Sequence, residues 1–434
     1  MSGLKNTNNE WFPQIPIDWE IGRLKDLATT TNGITFTKAD LVEDGNAVLS
    51  YGQIHAKNNP QTYINDELVK YIPDKLVQGK SSSKVKKGDF LFADTSEDLT
   101  GCGNCIYIDK DIDLYAGYHT IILQNKELHC GRYFAYLFMS DNWRSQIRKR
   151  VKSVKLFSVT QNILNQTFTL IPPIARQEAI AAYLDKECEK IGQRVALLER
   201  KADAYRRLRR SLINRAVTRG LNPNVQLKAS SLPFESEMPN HWDIKRIKSL
   251  FEERDEYSST GKEDLLSVSE YYGVAKRADK IEGDNISRSD SLEGYKLCYI
   301  GDIVSNIMLA WKGSLGMTTY NGIVSPAYGV YKPIYELNPR YYHYLFRTEL
   351  YKAIFKNHSR GIIDSRLRLY SPNFLALNTF YPPLSEQNEI VAYLDEKCAK
   401  IDAIVEKINI QIERLKELKR SLINEVVTGK RAIN

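Results

Sequence analysis

Cys102 and Cys105 are the residues whose spacing most resembles a metal site. Their Cys-x-x-Cys pattern supplies half of a zinc site, which His119, His129 or Cys130 could complete. The second half of the chain has no equivalent pattern, and the other cysteines lie far apart. We therefore expect reduced thiols, with neither a zinc ion nor a disulfide framework.

A group of polar residues in the same region could instead form an enzyme site: Asp94, Glu97, Asp98 and His119. Carboxylates in a loop more often cap turns or face water, and no glycine-rich cofactor loop follows a strand. Neither Pro-Pro pair follows the Asn or Asp of an amino-methyltransferase motif. The sequence thus predicts a chain without catalytic activity and without a cofactor of its own.

Basic and aromatic side chains recur at matching places in both halves of the chain. Arg, Lys and Gln are among the side chains that read base edges or hold phosphates. The candidates in the first half are Tyr51, Gln53, His55, Lys57, Lys152 and Lys155. Those in the second half are Tyr271, Tyr272, Lys276, Arg277, Trp311, Lys312, Arg360, Arg366 and Arg368. A solvated surface is the alternative for any one of them, but their recurrence and the net charge of +8 favour DNA binding.

A long helical sequence occurs twice in the chain and frames the regions that contain these residues. Residues 171–219 and 381–429 align without a gap at an offset of 210, so that Pro172-Pro173 matches Pro382-Pro383. A Pro-Pro pair cannot lie inside a helix and marks each start. The residues that can end the helices in a left-handed cap are Gly220 and Gly429.

Apolar residues in both copies form one stripe at spacings of mostly three and four. The first stripe is Leu184, Cys188, Ile191, Val195, Leu198, Ala202, Tyr205, Leu208 and Leu212. The second is Leu394, Cys398, Ile401, Val405, Ile408, Ile412, Leu415, Leu418 and Leu422. Charged residues fill most of the other faces, which predicts a coiled coil. Since a compact domain usually has its termini close together, we expect the helices to run antiparallel, with one globular domain at each end and a pseudo-twofold axis.

The repeat extends to the globular regions, each of which begins with a related tryptophan motif. Residues 15–27 and 238–250 match at an offset of 223, and short β-like runs followed by a helical stretch come after each motif. We therefore predict an α+β fold with two globular domains joined by two long helices. The predicted boundaries are a loose arm at 1–14, a domain at 15–170, a helix at 171–219, a linker at 220–237, a domain at 238–380, and a helix with its tail at 381–434.

The composition is that of an ordinary globular chain. Its 434 residues predict two to three domains, and 42% hydrophobic with 26% charged residues allow a sizeable core. No run of 18 apolar residues occurs, and the start lacks the apolar core of a signal peptide. We expect a cytoplasmic protein without a membrane association.

These patterns together resemble the specificity subunits of type I restriction-modification systems. The resemblance rests on PPxxxQxxIxxYLDxxCxKI in both halves, on SLINxxVT near both helix ends, on MPNHWDIKRIKSL, and on GIIDSRLRLYSPNF, and it covers nearly the whole chain. One departure is Arg176, which stands where the second copy has Glu386 and weakens one helix start.

The resemblance implies that each globular region is a target recognition domain that reads one half of a split DNA site. The helices would set the unread spacer and dock two modification subunits, which use S-adenosylmethionine to methylate a flipped adenine. Restriction subunits would join the complex and use ATP with Mg²⁺. The chain itself would be a non-catalytic subunit that binds double-stranded DNA.

A protein-interaction scaffold without DNA sequence preference is the alternative that the sequence leaves open. In that case the two domains would bind other proteins and the helices would only dimerise. The residues alone establish two related domains, two long helices and no catalytic motif, whereas DNA methylation and restriction follow from the resemblance.

Overall fold

The computed structural model describes residues 3–126, 129–152, 155–279 and 291–433. The chain divides into two compact units, Met1–Leu198 with Ile410–Asn434 (the first unit) and Glu199–Asn409 (the second unit). Each unit contains one α+β domain and a segment of both long helices, as the repeat predicts.

The first unit contains thirteen strands within the described residues and begins the first long helix. Its strands are β1 (Leu4–Asn6), β2 (Gln14–Pro16), β3 (Glu20–Arg23), β4 (Ala28–Asn32), β5 (Asn46–Leu49), β6 (Lys70–Ile72), β7 (Phe90–Ala93), β8 (Thr95–Ser96), β9 (Cys105–Tyr107), β10 (Leu114–Ala116), β11 (Thr120–Asn125), β12 (Phe157–Ser158) and β13 (Phe168–Ile171). Its helices are α1 (Leu24–Leu27), α2 (Tyr51–Ile54), α3 (Gly131–Met139), α4 (Asp141–Arg148), α5 (Gln161–Asn165) and the start of α6 (Ile174–Arg219).

The core of the first domain lies between a sheet and the α3–α4 pair. An antiparallel sheet in the order β4-β11-β7-β9 contributes Phe90 and Phe92, which contact Phe138 of α3 at ring-centroid distances of 5.0 and 5.4 Å. A second sheet, β10-β5-β6, joins β10 to β5 in parallel. The prediction of one continuous helix after the strands is wrong, because Ser140 is extended and caps α4 by accepting from the Trp143 backbone N–H.

The second unit repeats this plan with fewer strands in its sheets. Its strands are β14 (Leu227–Ala229), β15 (Glu237–Pro239), β16 (Asp243–Arg246), β17 (Phe251–Glu253), β18 (Leu266–Ser269), β19 (Gly273–Lys276), β20 (Lys296–Cys298), β21 (Ile303–Ser305), β22 (Leu315–Met317), β23 (Gly322–Val324), β24 (Gly329–Pro333) and β25 (Asn378–Tyr381). Its helices are α7 (Pro339–Leu345), α8 (Glu349–His358), α9 (Ser371–Leu375) and the start of α10 (Leu384–Val427).

The second domain packs α7 and α8 against the sheet β17-β24-β21-β22. Phe251 of β17 contacts Tyr342 of α7 at 5.3 Å, and Phe346 contacts Tyr351 of α8 at 5.2 Å. Thr348 caps α8 by accepting from the Tyr351 N–H, as Ser140 caps α4. The helix break is therefore part of the repeat.

The polar residues of the PPxxxQ motif attach each domain to its long helix. The Gln177 side chain donates to Pro172 O at 2.8 Å and accepts from Cys130 N at 3.3 Å. In the second unit, Gln387 donates to Pro382 O at 2.8 Å and accepts from Asn338 N at 2.9 Å. The glutamine thus satisfies one carbonyl just before the long helix and the N–H of the residue that precedes α3 or α7.

An aspartate about two turns after this glutamine makes a second attachment. Asp185 accepts from Arg132 Nε at 2.9 Å and from the Tyr136 hydroxyl at 2.7 Å. The corresponding contacts of Asp395 are made by two residues of α7, Arg340 at 2.7 Å and Tyr344 at 2.6 Å. Both halves therefore repeat the same side-chain network.

In each unit the start of one long helix packs beside the end of the other, so the helices pair antiparallel. Ile180 and Leu184 share a core with Val426 in the first unit. In the second unit, Val217 shares a core with Leu394. The predicted left-handed caps are confirmed, with φ of +73° and +71° at the glycines that follow the helices, Gly220 and Gly429.

The predicted seam is wrong at one position in each helix. Leu208 is 47% exposed and its equivalent, Leu418, is 51% exposed. Seven residues after Ala202, Arg209 faces the partner helix instead and its Nε lies 3.1 Å from Asp402 Oδ1. The stripe that faces the partner helix therefore continues through Arg209. Leu208 and Leu418 lie on a solvent-exposed face of their helices.

The predicted loose arm and linker are ordered where the structure describes them. β1 pairs with β2 and β14 pairs with β15, with Leu4 opposite Pro16 and Leu227 opposite Pro239. Both pairs keep the offset of 223, and Phe12 between the first two strands is buried. Strands of three residues carry too little periodicity to be predicted. Among the described residues, no helix has the length and apolar character needed to cross a bilayer.

Candidate nucleic-acid interface

The first domain has a concave surface of about 590 Å³ at the end of β5. Tyr51 and His55 line it from α2, residues 95–104 line it from the loop after β7, and Leu156 lines it from the segment after α4. The structure thereby brings two predicted DNA-binding residues together with Leu156, the chain neighbour of Lys155.

The capping of α2 fixes the orientation of this surface. Ser50 precedes the helix, and its backbone N–H donates to Gln53 Oε1 at 3.0 Å in a capping box. The side-chain carbonyl of Gln53 therefore accepts a hydrogen bond within the protein. His55 Nε2 donates to Thr95 O at 2.8 Å, and its Nδ1 accepts from Asn104 Nδ2 at 3.1 Å, which fixes the orientation of the ring.

A buried arginine that the sequence analysis did not single out holds the loop in place. Arg144 of α4 donates to Phe138 O and to Asn104 Oδ1, both at 2.8 Å, and also to Gln61 Oε1. Burial lowers the pKa of Arg144 to about 10. Asn104 thus links the helix pair to His55 on the concave surface.

Aromatic rings cluster beside this surface. The Tyr51 ring lies 5.5 Å from the rings of both Tyr118 and His119. His119 has a φ of +55°, which is rare for a residue with a side chain, and its Nδ1 lies 3.1 Å from Asp94 Oδ1. Tyr118 was missed from sequence because its neighbours fit an ordinary strand end.

The acidic residues near this surface serve the loop rather than a metal. Asp98 accepts from Thr100 Oγ1 at 2.6 Å and from Gly101 N at 2.7 Å, and these hydrogen bonds lower its pKa. Cys102 and Cys105 are fully buried, and desolvation raises the pKa of Cys105 to about 12. Within the described residues, no cluster of three or more metal-ligating side chains occurs.

The basic residues of the first domain fall into two groups. Arg148 pairs with Asp141 at 3.1 Å, and Lys149 pairs with Glu10 at 3.2 Å, so both are engaged internally. Three exposed lysines make no ion pair within the described ranges: Lys57, Lys152 and Lys155. These three remain available to a polyanion.

In the second domain, one half-buried arginine of the α7–α8 turn holds two candidate loops. Arg347 donates to the carbonyls of Ser269, Glu270 and Tyr271 at 3.2, 2.9 and 3.2 Å. It also donates to Gly313 O and Leu315 O, at 3.2 and 2.9 Å.

The same arginine lies in a buried, positively charged environment. Burial lowers the pKa of Arg347 to about 10. Burial, with the nearby charge of Arg347, lowers the pKa of His343 to about 3, so that this imidazole is neutral. The structure thus joins the loop of Tyr271 and Tyr272 to the loop of Trp311 and Lys312.

The tyrosines of the first loop differ in exposure. The Tyr271 side chain is 85% exposed, whereas the Tyr272 hydroxyl lies 3.0 Å from Ser267 Oγ. At the other end of β19, Lys276 pairs with Asp264 at 2.6 Å, and this contact raises the lysine pKa. Arg277 is half-buried, and its Nε makes no hydrogen bond within the described residues. Tyr271 is therefore the most exposed member of this group, since Tyr272 is only 38% exposed.

Two lysines lie over the Trp311 ring. Lys312 Nζ is 5.1 Å and Lys356 Nζ is 5.0 Å from the ring centroid. Lys356 also pairs with Asp364 at 3.0 Å, which connects the tryptophan to the following segment.

That segment is a hairpin, residues 360–368, that follows α8. Arg360 and Arg368 exchange two backbone hydrogen bonds of 2.9 Å at its base. Ile362 at its tip is 100% exposed, and Arg360 and Arg366 are exposed beside it. The Arg368 guanidinium donates to Ser365 O and Leu367 O within the hairpin, so it is engaged internally.

The chain also matches known proteins over both repeats. A family model for the type I restriction modification DNA specificity domain matches residues 16–193 and 239–414, which is each domain with part of its long helix. The chain belongs to this family. Among members of this family, the EcoKI specificity subunit of Escherichia coli strain K12 is 22% identical, with 96% of this chain and 90% of that protein covered. The EcoBI specificity subunit of Escherichia coli is 21% identical, over 99% of this chain and 88% of that protein.

Solved structures show the same fold at low identity. A chain from a structure of the assembly and conformational transition of the type I R-M system has a TM-score of 0.68 at 18% identity, with 96% of this chain and 99% of that chain covered. The HsdS subunit from Thermoanaerobacter tengcongensis has a TM-score of 0.50 at 17% identity, with coverages of 96% and 98%. The predicted family and fold are therefore confirmed, whereas the individual DNA-binding residues stay predictions.

Proposed function

We propose that this chain is the specificity subunit of a type I restriction-modification complex and that each domain reads one half of a split DNA sequence. The observation that carries the proposal is a contrast between the units. Both attach their domain to the long helix through the same glutamine and aspartate contacts, yet the exposed recognition surfaces differ. A shared frame with unlike reading surfaces suits two different half-sites.

The first surface offers hydrogen-bonding and stacking groups with flanking positive charge. The ring edges and polar atoms of Tyr51, Tyr118 and His119 can contact bases, because aromatic rings and side-chain donors read base edges. Lys57 and Lys152 are free to neutralise phosphates. Phosphate contacts would position the domain, and the aromatic cluster would specify the sequence.

The second surface offers a projecting hairpin. B-DNA's major groove is about 12 Å wide and admits a two-stranded ribbon. Arg360 and Arg366 can donate to guanine, while Ile362 at the tip can contact a thymine methyl group or wedge into a base step. The full exposure of Ile362 in the free chain is accounted for if DNA covers this side chain in the complex.

The long helices would serve as the spacer and as the docking site for two modification subunits. Leu208 and Leu418 occupy equivalent open positions, which gives two copies of one apolar contact for two copies of one partner. Those subunits would bring S-adenosylmethionine, and restriction subunits would bring ATP and Mg²⁺. The specificity chain would take no part in the chemistry itself.

The direct test is to co-express the chain with its modification subunit and to map methylated adenines in genomic DNA. The proposal expects one split, asymmetric motif with an unread gap of fixed length. A stable complex that methylates no defined motif would favour an interaction scaffold without sequence preference.

The spacer role can be tested with the same readout. Inserting four residues at matched positions of both helices adds about 6 Å, comparable to about two base pairs. The expected motif has a longer gap and unchanged half-sites. An unchanged gap would reject the spacer role.

A further inference from the structure

The first unit contains a small cavity where β2, the start of α6 and the end of α10 meet. Its volume is about 140 Å³, and Pro16, Trp19, Arg176, Lys430 and Arg431 are among the residues that line it. This is the position at which the sequence repeat departs from itself, because Arg176 stands where the second copy has Glu386.

The equivalent position in the second unit is occupied by a carboxylate. Glu386 Oε2 accepts from Trp242 Nε1 at 2.9 Å and lies 2.7 Å from His241 Nε2. Its Oε1 lies so close to Gly220 that a Cβ added there would be 2.6 Å away. The carboxylate thus fills the space between the tryptophan and the helix-ending glycine.

The first unit keeps the tryptophan but lacks this acceptor. Trp19 is 2% exposed, and its indole N–H donates no hydrogen bond within the described residues. This N–H is not fully buried and retains some solvent contact. Arg176 makes no ion pair in the part of the chain that the structure describes, and neither does Asp18, which replaces His241 and is exposed.

The charges around the cavity favour an anion. Arg176 and Glu386 are both third residues of their helices, where the positive end of the helix dipole stabilises a carboxylate and destabilises a guanidinium. Lys430 and Arg431 add positive charge, and the contact of Arg431 with Glu425 is long, at 3.9 Å. The first unit therefore concentrates positive charge where the second unit holds a negative one.

We propose that this cavity binds a carboxylate, supplied in the assembled complex by an acidic side chain of a partner protein. The ligand class follows from the duplicate, because Glu386 already occupies the equivalent space and accepts from the equivalent indole. A guanidinium and an indole N–H can share the two oxygens of one carboxylate. The volume accepts a carboxylate with its adjoining methylene groups and is too small for a nucleotide.

Acetate is the probe for this site, and the five tryptophans of the chain allow a direct readout. The full chain is labelled with 5-fluorotryptophan, and resonances are assigned from Trp19→Phe and Trp242→Phe variants. Acetate is titrated against chloride at constant ionic strength. We expect a saturable shift of the Trp19 resonance and none of the Trp242 resonance, whose indole is already satisfied. Absence of a Trp19 shift would overturn the proposal.

Variants of Arg176 separate binding from a general effect of acetate. Arg176→Gln removes the charge and is expected to weaken the acetate response by about tenfold, the equivalent of one charge-assisted hydrogen bond. Arg176→Glu restores the arrangement of the second unit, so the Trp19 resonance should move without acetate and then stop responding to it. An unchanged titration of both variants would contradict the site.

Two further arms identify the source of the carboxylate. Asp18→Asn should leave the Trp19 resonance and its response unchanged, whereas a shift caused by this substitution alone would make Asp18 the acceptor and overturn the proposal. In the complex with the modification subunit, acetate should no longer move the Trp19 resonance. A persistent response would overturn the assignment to a partner side chain. The isolated-chain titration does not depend on DNA recognition and can succeed or fail separately from it.

Discussion

The two units attach their domains identically but secure the α-helical pair of each domain differently. In the first unit, the Asp141 carboxylate accepts from Arg420 and from Asn424 Nδ2 at 3.1 Å, both on α10. In the second unit, the equivalent Glu349 pairs with Lys352 of its own helix, at 2.9 Å, and makes no other ion pair within the described residues. The frame of the repeat is thus common to both units, and its secondary contacts have diverged.

A cavity marks where those contacts are missing in the second unit. About 960 Å³ lies between α8 and the end of α6, and Arg210, Asn214 and Glu349 line it. Arg210 and Asn214 are the counterparts of Arg420 and Asn424. The second domain therefore lacks this additional contact with the long helix, although it keeps those of Gln387 and Asp395.

The largest expected effect comes from Arg347→Met, which introduces the residue that the first unit has at the equivalent position, Met139. Five carbonyl oxygens would lose a buried donor, so we expect the free energy of unfolding to fall by about 3 kcal/mol. Denaturant unfolding measures this, with Lys312→Met as an exposed control that should change it by less than about 0.5 kcal/mol. Equal effects of the two variants would show that Arg347 is not a hub.

The next effect concerns the hairpin. Arg366→Ala should weaken binding of the cognate DNA by about 1–3 kcal/mol if the side chain reads a base, with relaxed specificity in one half-site only. Lys152→Ala in the first unit should weaken binding to all DNA sequences alike. It should also reduce the slope of log affinity against log salt concentration by about 1. Titrations of the assembled complex at several salt concentrations distinguish the two. Identical behaviour of both variants would contradict the division into reading and positioning residues.

A smaller effect on stability should distinguish substitutions of Asp141 from those of Glu349. Burial alone would raise the pKa of Asp141, but hydrogen bonds from Arg420, Asn424 and Arg148 lower it to about 2. Because the pKa is lower in the folded than in the unfolded state, where it is about 3.9, the stabilisation is present above about pH 4 and is lost as the pH falls towards 2.

We therefore expect Asp141→Asn to lower stability at pH 7 by about 1 kcal/mol after allowance for solvent screening, and by progressively less below about pH 4. Glu349→Gln is the matched control. It should leave the free energy of unfolding almost unchanged both at pH 7 and below about pH 4, since the ion pair of Glu349 is exposed. Unfolding at a series of pH values measures the difference. A pH-independent loss in Asp141→Asn would reject this ion-pair network.

The smallest effect on stability is expected at the exposed leucines. Leu208→Gln with Leu418→Gln should change the unfolding free energy by less than about 0.5 kcal/mol, because both side chains are half-exposed. Leu422→Ala, at a buried seam position, is the control and should cost about 2–5 kcal/mol. The double variant should nevertheless weaken binding of the modification subunit. Undiminished binding would place the docking surface elsewhere.

The long helices could be predicted from the sequence because their determinants are local or repeated. Pro172 and Pro382 mark the helix starts, Gly220 and Gly429 mark the ends, and the apolar stripe indicates the seam. The stripe failed at Leu208 because spacing alone does not reveal that Arg209 has an acidic partner across the seam.

The recognition surfaces could be predicted only in part. Tyr51 and His55 were singled out because basic and aromatic residues recur at matching places in both halves, and their role in DNA binding stays a prediction. Arg144 and Arg347 were missed because their partners are carbonyls and amides far away in the chain. The helix break at Ser140 and Thr348 was missed because a single capping residue inside a helical pattern resembles an ordinary surface serine or threonine.

The central claim is that each unit reads its own half-site, and one experiment tests it most directly. Methylated adenines are mapped for the complex containing the unchanged chain, the double variant Arg360→Ala with Arg366→Ala, and the variant Tyr51→Ala. We expect the first variant to relax or abolish recognition of one half of a split motif and the second to affect the other half, with the gap unchanged. If both variants altered the same half-site, or if the motif were continuous, the account would be contradicted.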